Sequence, residues 1–103
     1  MQKSELRLIK NAREYIPQEK IDIVPRGTRG IYVLYKSRGK KKAKYPFYEH
    51  FDFLYIGMAT NGIKGRLRKH EGTKKWTHFS FFEVWDNISD EEIRELEGLV
   101  EVV

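Results

Sequence analysis

RGIYVLY, residues 29–35, returns after a basic interlude as FLYIGMA, residues 53–59. Both copies are rich in β-branched and aromatic residues, which predicts two strands close in sequence and able to pair side by side. Each also carries a glycine, Gly30 and Gly57. Glycine weakens a strand interior, because it adds backbone entropy and no side-chain contact. Two such glycines would let a backbone or a phosphate come close where a side chain would block it. The pairing would bring Tyr32 and Tyr55 together.

The elements around this pair follow from periodicity and punctuation. Leu8, Ile9, Ala12, Tyr15 and Ile16 recur at helical spacing over residues 4–16, which predicts an N-terminal helix that Pro17 ends. VPRGTRG, residues 24–30, is turn-rich, and the first strand covers Ile31 to Tyr35. A basic inter-strand loop or hairpin tip is expected over 36–52, with the second strand from about Phe51 to Ile56. NGIKGRLRKHEG, residues 61–72, reads as a short helix that buries Ile63 and Leu67 and stops at Gly72. WTHFSFFEVW, residues 76–85, reads as a third strand. Ser89 and Glu92 in SDEE form a capping box that opens a last helix. The expected order is α-β-β-α-β-α, an α+β domain with a small three-stranded antiparallel sheet flanked by helices.

With 103 residues the chain is expected to be one domain, 1–103, with a modest core, to which the 14% of aromatic residues contribute rings. It has no cysteine, which excludes disulfides and thiolate metal sites. No segment approaches a membrane span and the first fifteen residues hold no continuous apolar run, so a cytoplasmic location is expected. The net charge of +5 conceals a division. Residues 86–103 hold seven acids and one base, Arg94, whereas KSRGKKKAK, residues 36–44, holds six bases and no acid. Lys36, Arg38, Lys40, Lys41, Lys42 and Lys44 are therefore either a surface for a polyanion such as nucleic acid or a solvated loop that aids solubility. Tyr45, Phe47 and Tyr48 beside them would either stack on unpaired bases or close a small satellite core.

Several polar residues fall where chemistry is possible. On the last helix Ile93, Leu96, Val100 and Val103 form the apolar stripe, and Glu97 projects along its edge toward the sheet. A carboxylate in that position needs a partner, either an Arg or Lys of the sheet or a bound cation. Arg66 and His70 are four apart on the middle helix and share one face. The first is a planar fork suited to phosphate and the second moves protons near neutral pH; the alternative, and the commoner explanation of such a pair, is an exposed solvated face. Arg68 and Lys69 point elsewhere and read as surface charges.

Taken together, these residues resemble the GIY-YIG nuclease family, over roughly residues 29–100. Gly30-Ile31-Tyr32 matches the first name-giving triplet and Tyr55-Ile56-Gly57 the second. Arg66 and His70 fall where the family has an arginine and, four residues on, a histidine or tyrosine; Leu96-Glu97 matches its metal-binding glutamate. Many members also carry an asparagine after the glutamate helix, which has no counterpart in this sequence. The resemblance implies hydrolysis of a DNA phosphodiester with a single divalent metal, Mg²⁺ or Mn²⁺, held by Glu97. It implies that Arg66 clamps the phosphoryl oxygens, Tyr32 positions or deprotonates the attacking water, and Tyr55 and His70 support that network. His70 is the rival general base, because a phenol of pKa about 10 is a poor base at neutral pH. A nucleic-acid-binding module of the same fold without activity is the competing expectation. A protein-interaction domain that uses its acidic last helix is a third, and a protein partner or homodimer is left open.

Overall fold

The computed structural model describes residues 8–41, 48–72 and 75–102. In chain order they form β1 (Ile9–Pro17), a 3₁₀ helix (Gln18–Ile23), β2 (Gly30–Lys41), β3 (Tyr48–Ala59), α1 (Ile63–His70), β4 (His78–Val84) and α2 (Asp90–Val102). The sheet order is β1-β4-β2-β3 with every neighbouring pair antiparallel. Helices cover both faces. On one, Tyr32, Leu34, Phe79 and Phe81 pack with Ile63 and Leu67 of α1 and Ile21 of the 3₁₀ helix. On the other, Ile31, Val33, Ile56 and Val84 pack with Ile93 and Leu96 of α2. Residues 31 to 34 alternate strictly between the two clusters, as a strand buried on both faces must.

The α+β architecture is as expected, but the sheet has four strands where three were expected. The extra one is the segment read as an N-terminal helix. Its helical stripe is not used: Lys10 to Tyr15 are exposed and Ile16 alone is buried in β1. The cause lies in β4, whose Phe79 and Phe81 face one cluster and Val84 the other. A strand apolar on both faces and left open along one edge would be an aggregation template. Pairing with β1 closes that edge, and this tertiary demand overrides a weak local helix preference. Pro17, expected as a helix stop, instead ends the edge strand, where its missing N–H is tolerated.

β1 is irregular between Arg13 and Ile16, and there Tyr15 takes φ 55°, a left-handed conformation unusual for an aromatic residue. The bulge turns the Tyr15 ring onto Tyr35 and Phe51, with centroids 4.8 and 4.7 Å away. Ser80, fully buried on β4, fixes it: its Oγ accepts the Tyr15 backbone N–H at 3.0 Å and lies 3.1 Å from the Tyr35 hydroxyl. His78 joins the group edge-on to Phe51.

The basic stretch also differs from its expected form. Residues 36–41 continue β2 and 48–52 begin β3, with Lys36 opposite Asp52 and Arg38 bonded to the Asp52 carboxylate at 2.8 Å. Among the described residues no helix is long and apolar enough to cross a membrane.

The capping box forms as read: Glu92 N–H donates to Ser89 Oγ at 3.1 Å and Ser89 N–H to Glu92 Oε1 at 2.9 Å. Arg29, at the threshold of β2, ties this end of α2 down. Its guanidinium donates to the Ile88 carbonyl at 2.7 Å and pairs with Asp90 at 2.9 Å.

Candidate functional site

Tyr32 stands directly opposite Gly57 in the β2–β3 ladder, and Tyr55 opposite Leu34. Facing residues on one sheet surface are about 5 Å apart at Cβ, so a ring lying across the ladder occupies its neighbour's place. Gly57 makes that possible. A Cβ there would sit 2.6 Å from the Tyr32 hydroxyl and 2.9 Å from the Tyr55 ring. Gly30 answers a different demand, since a Cβ on it would meet the Phe82 carbonyl oxygen of β4 at 2.0 Å. One glycine admits a backbone and the other a phenol ring.

α1 brings the cationic half of the site. Ile63 and Leu67, fully buried, seat the helix on the sheet, and the Ile63 N–H donates to the Thr28 carbonyl at 2.7 Å. His70 in the last turn then meets both tyrosines, 5.7 Å from the Tyr32 ring centre and 4.9 Å from that of Tyr55. The Tyr32 hydroxyl is 3.0 Å from His70 Nε2. Trp76 holds the histidine from behind by donating its indole N–H to the His70 carbonyl at 2.9 Å. Arg66, one turn earlier and exposed, interacts with both phenols.

Two opposing effects act on the Tyr32 phenol. Its ring is 0% exposed, and burial penalises the phenolate; the hydrogen bond from Arg66 favours it. Burial wins, so Tyr32 is held above the ordinary value of 10.0, with the neighbouring Tyr55 pushing the same way. Arg66 is raised in turn, chiefly by its hydrogen bond to Tyr32. At neutral pH the cluster is therefore a neutral phenol beside a fixed cation.

The structure thus gathers Tyr32, Tyr55, Arg66 and His70. Glu97 is half-buried on α2, whose Ile93 and Leu96 pack against the opposite face of the sheet from the tyrosines. Its helix nonetheless reaches the site's margin. At the C-terminal end of β3 a cleft of about 460 Å³ is lined by Met58, Gly62, Gly65, Arg66 and Lys69 on one side and by Arg94 of α2 on the other. Arg94 lies three residues before Glu97, on the same helical face. Among the described residues no group of three His, Cys, Asp or Glu side chains is placed to hold a metal together.

Of the expected nucleic-acid contacts, Lys36 and Arg38 are exposed on β2, with Arg38 paired to Asp52. Lys40 and Lys41 close the same strand, and Lys42 and Lys44 lie outside the described residues, as do Tyr45 and Phe47. The aromatic satellite cluster that does form is built from Tyr15, Tyr35, Phe51 and His78. Lys69, read from sequence as a surface charge pointing elsewhere, lines the cleft, and Arg94 was not singled out. The signal for Arg94 was present, as the one base in an acidic segment. Comparison of the chain with models of known families, with curated proteins and with solved structures found no match.

Proposed function

We propose that this chain is a divalent-metal-dependent endonuclease that hydrolyses phosphodiester bonds in DNA, as its likeness to GIY-YIG nucleases implies. The observation that carries the reading is the buried Tyr32 hydroxyl, 3.0 Å from His70 Nε2 and shared with the Arg66 guanidinium. A water-attack reaction on a phosphodiester needs a proton acceptor, a means of orienting the water and positive charge where the phosphoryl oxygens gain electron density. His70 supplies the first, since its Nε2 lies 3.0 Å from the Tyr32 hydroxyl while burial raises the phenol above its ordinary value. Tyr32 orients the water through its hydroxyl and passes the proton toward His70 Nε2. Tyr55 supports the arginine, and Arg66 forks onto the non-bridging oxygens. This arrangement favours His70 over Tyr32 as the general base.

Glu97 is the residue that would hold Mg²⁺ or Mn²⁺. These hard ions are commonly bound by one or two carboxylates, with water and substrate phosphate filling the remaining positions, and the half-buried Glu97 carboxylate is a donor of that type. When bound, the ion supplies charge neutralisation at the phosphoryl oxygens.

The second reading, a DNA-binding module without activity, is favoured by the seating of α2 against the sheet face opposite the tyrosines. Incubation of supercoiled DNA with the protein in Mg²⁺, Mn²⁺ or EDTA separates the two. The nuclease reading expects cutting that requires metal and is lost in Glu97→Ala while DNA binding persists. Binding without cutting by the unaltered chain would contradict it in favour of the module.

A further inference from the structure

We propose that the cleft at the C-terminal end of β3 is a phosphate subsite, in which Lys69 and Arg94 hold a second phosphodiester of the DNA strand beside the one clamped by Arg66. The identity of the strand rests on the nuclease reading; the anion-binding character of the cleft rests on the structure. Arg66 and Lys69 of α1 and Arg94 of α2 converge on a space of about 460 Å³ whose lining contains no carboxylate among the described residues. Its size is within the range of small-ligand sites.

A neighbouring cleft shows that convergence of bases on this protein does not by itself leave charge uncompensated. On the other side of Gly62 and Gly65, a space of about 440 Å³ is lined by Arg26, Lys64 and Arg68, but also by Asp22. Asp22 pairs with Lys64 at 3.5 Å and with Arg68. The second cleft carries Asp22 among its own lining residues, whereas the described residues that line the first include no carboxylate.

Two features of the sequence have their explanation here. Arg94 is the one base among the seven acids of residues 86–103. A helix so acidic repels a polyanion, and an arginine at its cleft-facing position reverses the sign where it matters. Gly65 is the other. A glycine inside a helix lowers helix stability relative to alanine, and a Cβ there would meet nothing within 4 Å. Packing does not require it. It lines the cleft, and its bare backbone leaves room for a ligand to approach α1 closely.

The test is the affinity of the full chain for a short duplex oligonucleotide as a function of salt, followed by fluorescence anisotropy. Arg94→Gln, Lys69→Gln and Gly65→Gln are compared with Arg13→Gln, a charge loss on the exposed face of β1, and thermal melting confirms that each variant folds. Arg94→Gln and Lys69→Gln are expected to weaken binding by about tenfold, as loss of a charge-assisted hydrogen bond does, and to lower the salt slope by about 1 each. Gly65→Gln is expected to weaken binding while melting no lower than wild type. In cleavage the same variants raise KM with kcat retained. Effects no greater than that of Arg13→Gln would overturn the subsite while leaving metal-dependent cutting intact. Absence of cutting with the Arg94 effect on binding preserved would overturn the nuclease reading alone. Inorganic phosphate, titrated separately as competitor, is expected to bind more weakly than the oligonucleotide; tighter binding of inorganic phosphate would overturn the assignment to a DNA backbone.

Discussion

On opposite faces of one sheet stand two clusters made from nearly the same parts. One holds Tyr32, Tyr55 and His70 under α1; the other holds Tyr15, Tyr35, Phe51 and His78, with Tyr35 packed against the cluster that α2 covers. In both, burial holds a tyrosine above the ordinary phenol pKa, Tyr32 in the first and Tyr35 in the second, and a hydrogen-bonding neighbour pulls it back. The neighbours differ. Tyr32 has a guanidinium, Arg66, and Tyr35 has the hydroxyl of Ser80. A neutral hydroxyl satisfies a buried phenol and adds nothing that would draw in an anion. A guanidinium leaves a fixed positive charge at the surface, beside a hydroxyl and an imidazole. Aromatic and histidine content therefore does not distinguish the proposed reaction centre from a satellite core, and the added cation does.

The comparison is broken most severely through the small residue that builds each cluster. Gly57→Ala forces a Cβ to 2.6 Å from the Tyr32 hydroxyl, and Tyr32 has no exposed side toward which to retreat. Overpacking of this kind costs about 1–3 kcal/mol, and displacement of the hydroxyl is expected to abolish cleavage. Ser80→Ala strips the acceptor from the Tyr15 N–H and the partner from the Tyr35 hydroxyl, an expected loss of about 1–3 kcal/mol. Cleavage per folded molecule should be unchanged. Urea unfolding with a cleavage assay on each variant measures both effects, and loss of activity in Ser80→Ala would erase the distinction between the clusters.

A smaller effect sharpens it. Because Tyr32 and Tyr35 both bind their protons more tightly folded than unfolded, their contribution to stability is fully present below pH 10.0 and declines as pH rises above it. Arg66 lowers the Tyr32 pKa and Ser80 that of Tyr35, so Arg66→Ala should delay ionisation of Tyr32 and leave Tyr35 unchanged, and Ser80→Ala should delay Tyr35 and leave Tyr32 unchanged. An alkaline titration of tyrosinate absorbance, with Tyr32→Phe and Tyr35→Phe to assign the late-ionising groups, checks this.

Much of this was legible in the sequence where a signal was local. Ile63 and Leu67 announced the buried face of α1, Ser89 and Glu92 its counterpart's cap, and the two Gly/Ile/Tyr triplets the β2–β3 pair. The glycines announced a close approach, though not that Gly30 faces the β4 carbonyl and Gly57 a tyrosine ring, because those partners come from other strands. β1 was illegible for the same reason: its strand character is imposed by the open edge of β4, while its own residues fit a helix. Tyr15 was hidden by a bulge no spacing encodes. Arg94 and Lys69 become meaningful once two helices on opposite faces are seen to meet at the end of β3.

The most direct measurement is single-turnover DNA cleavage, in saturating Mg²⁺, by Tyr32→Phe and Tyr35→Phe side by side. Each substitution removes one hydroxyl, from the buried Tyr32 or the half-buried Tyr35, and keeps its ring. Tyr32→Phe is predicted to lose roughly 10²-fold or more in rate, the scale of a group in the proton-transfer network, and Tyr35→Phe to cut at the wild-type rate. Equal losses, or full activity in Tyr32→Phe, would contradict the assignment of the reaction to the cluster that contains the cation.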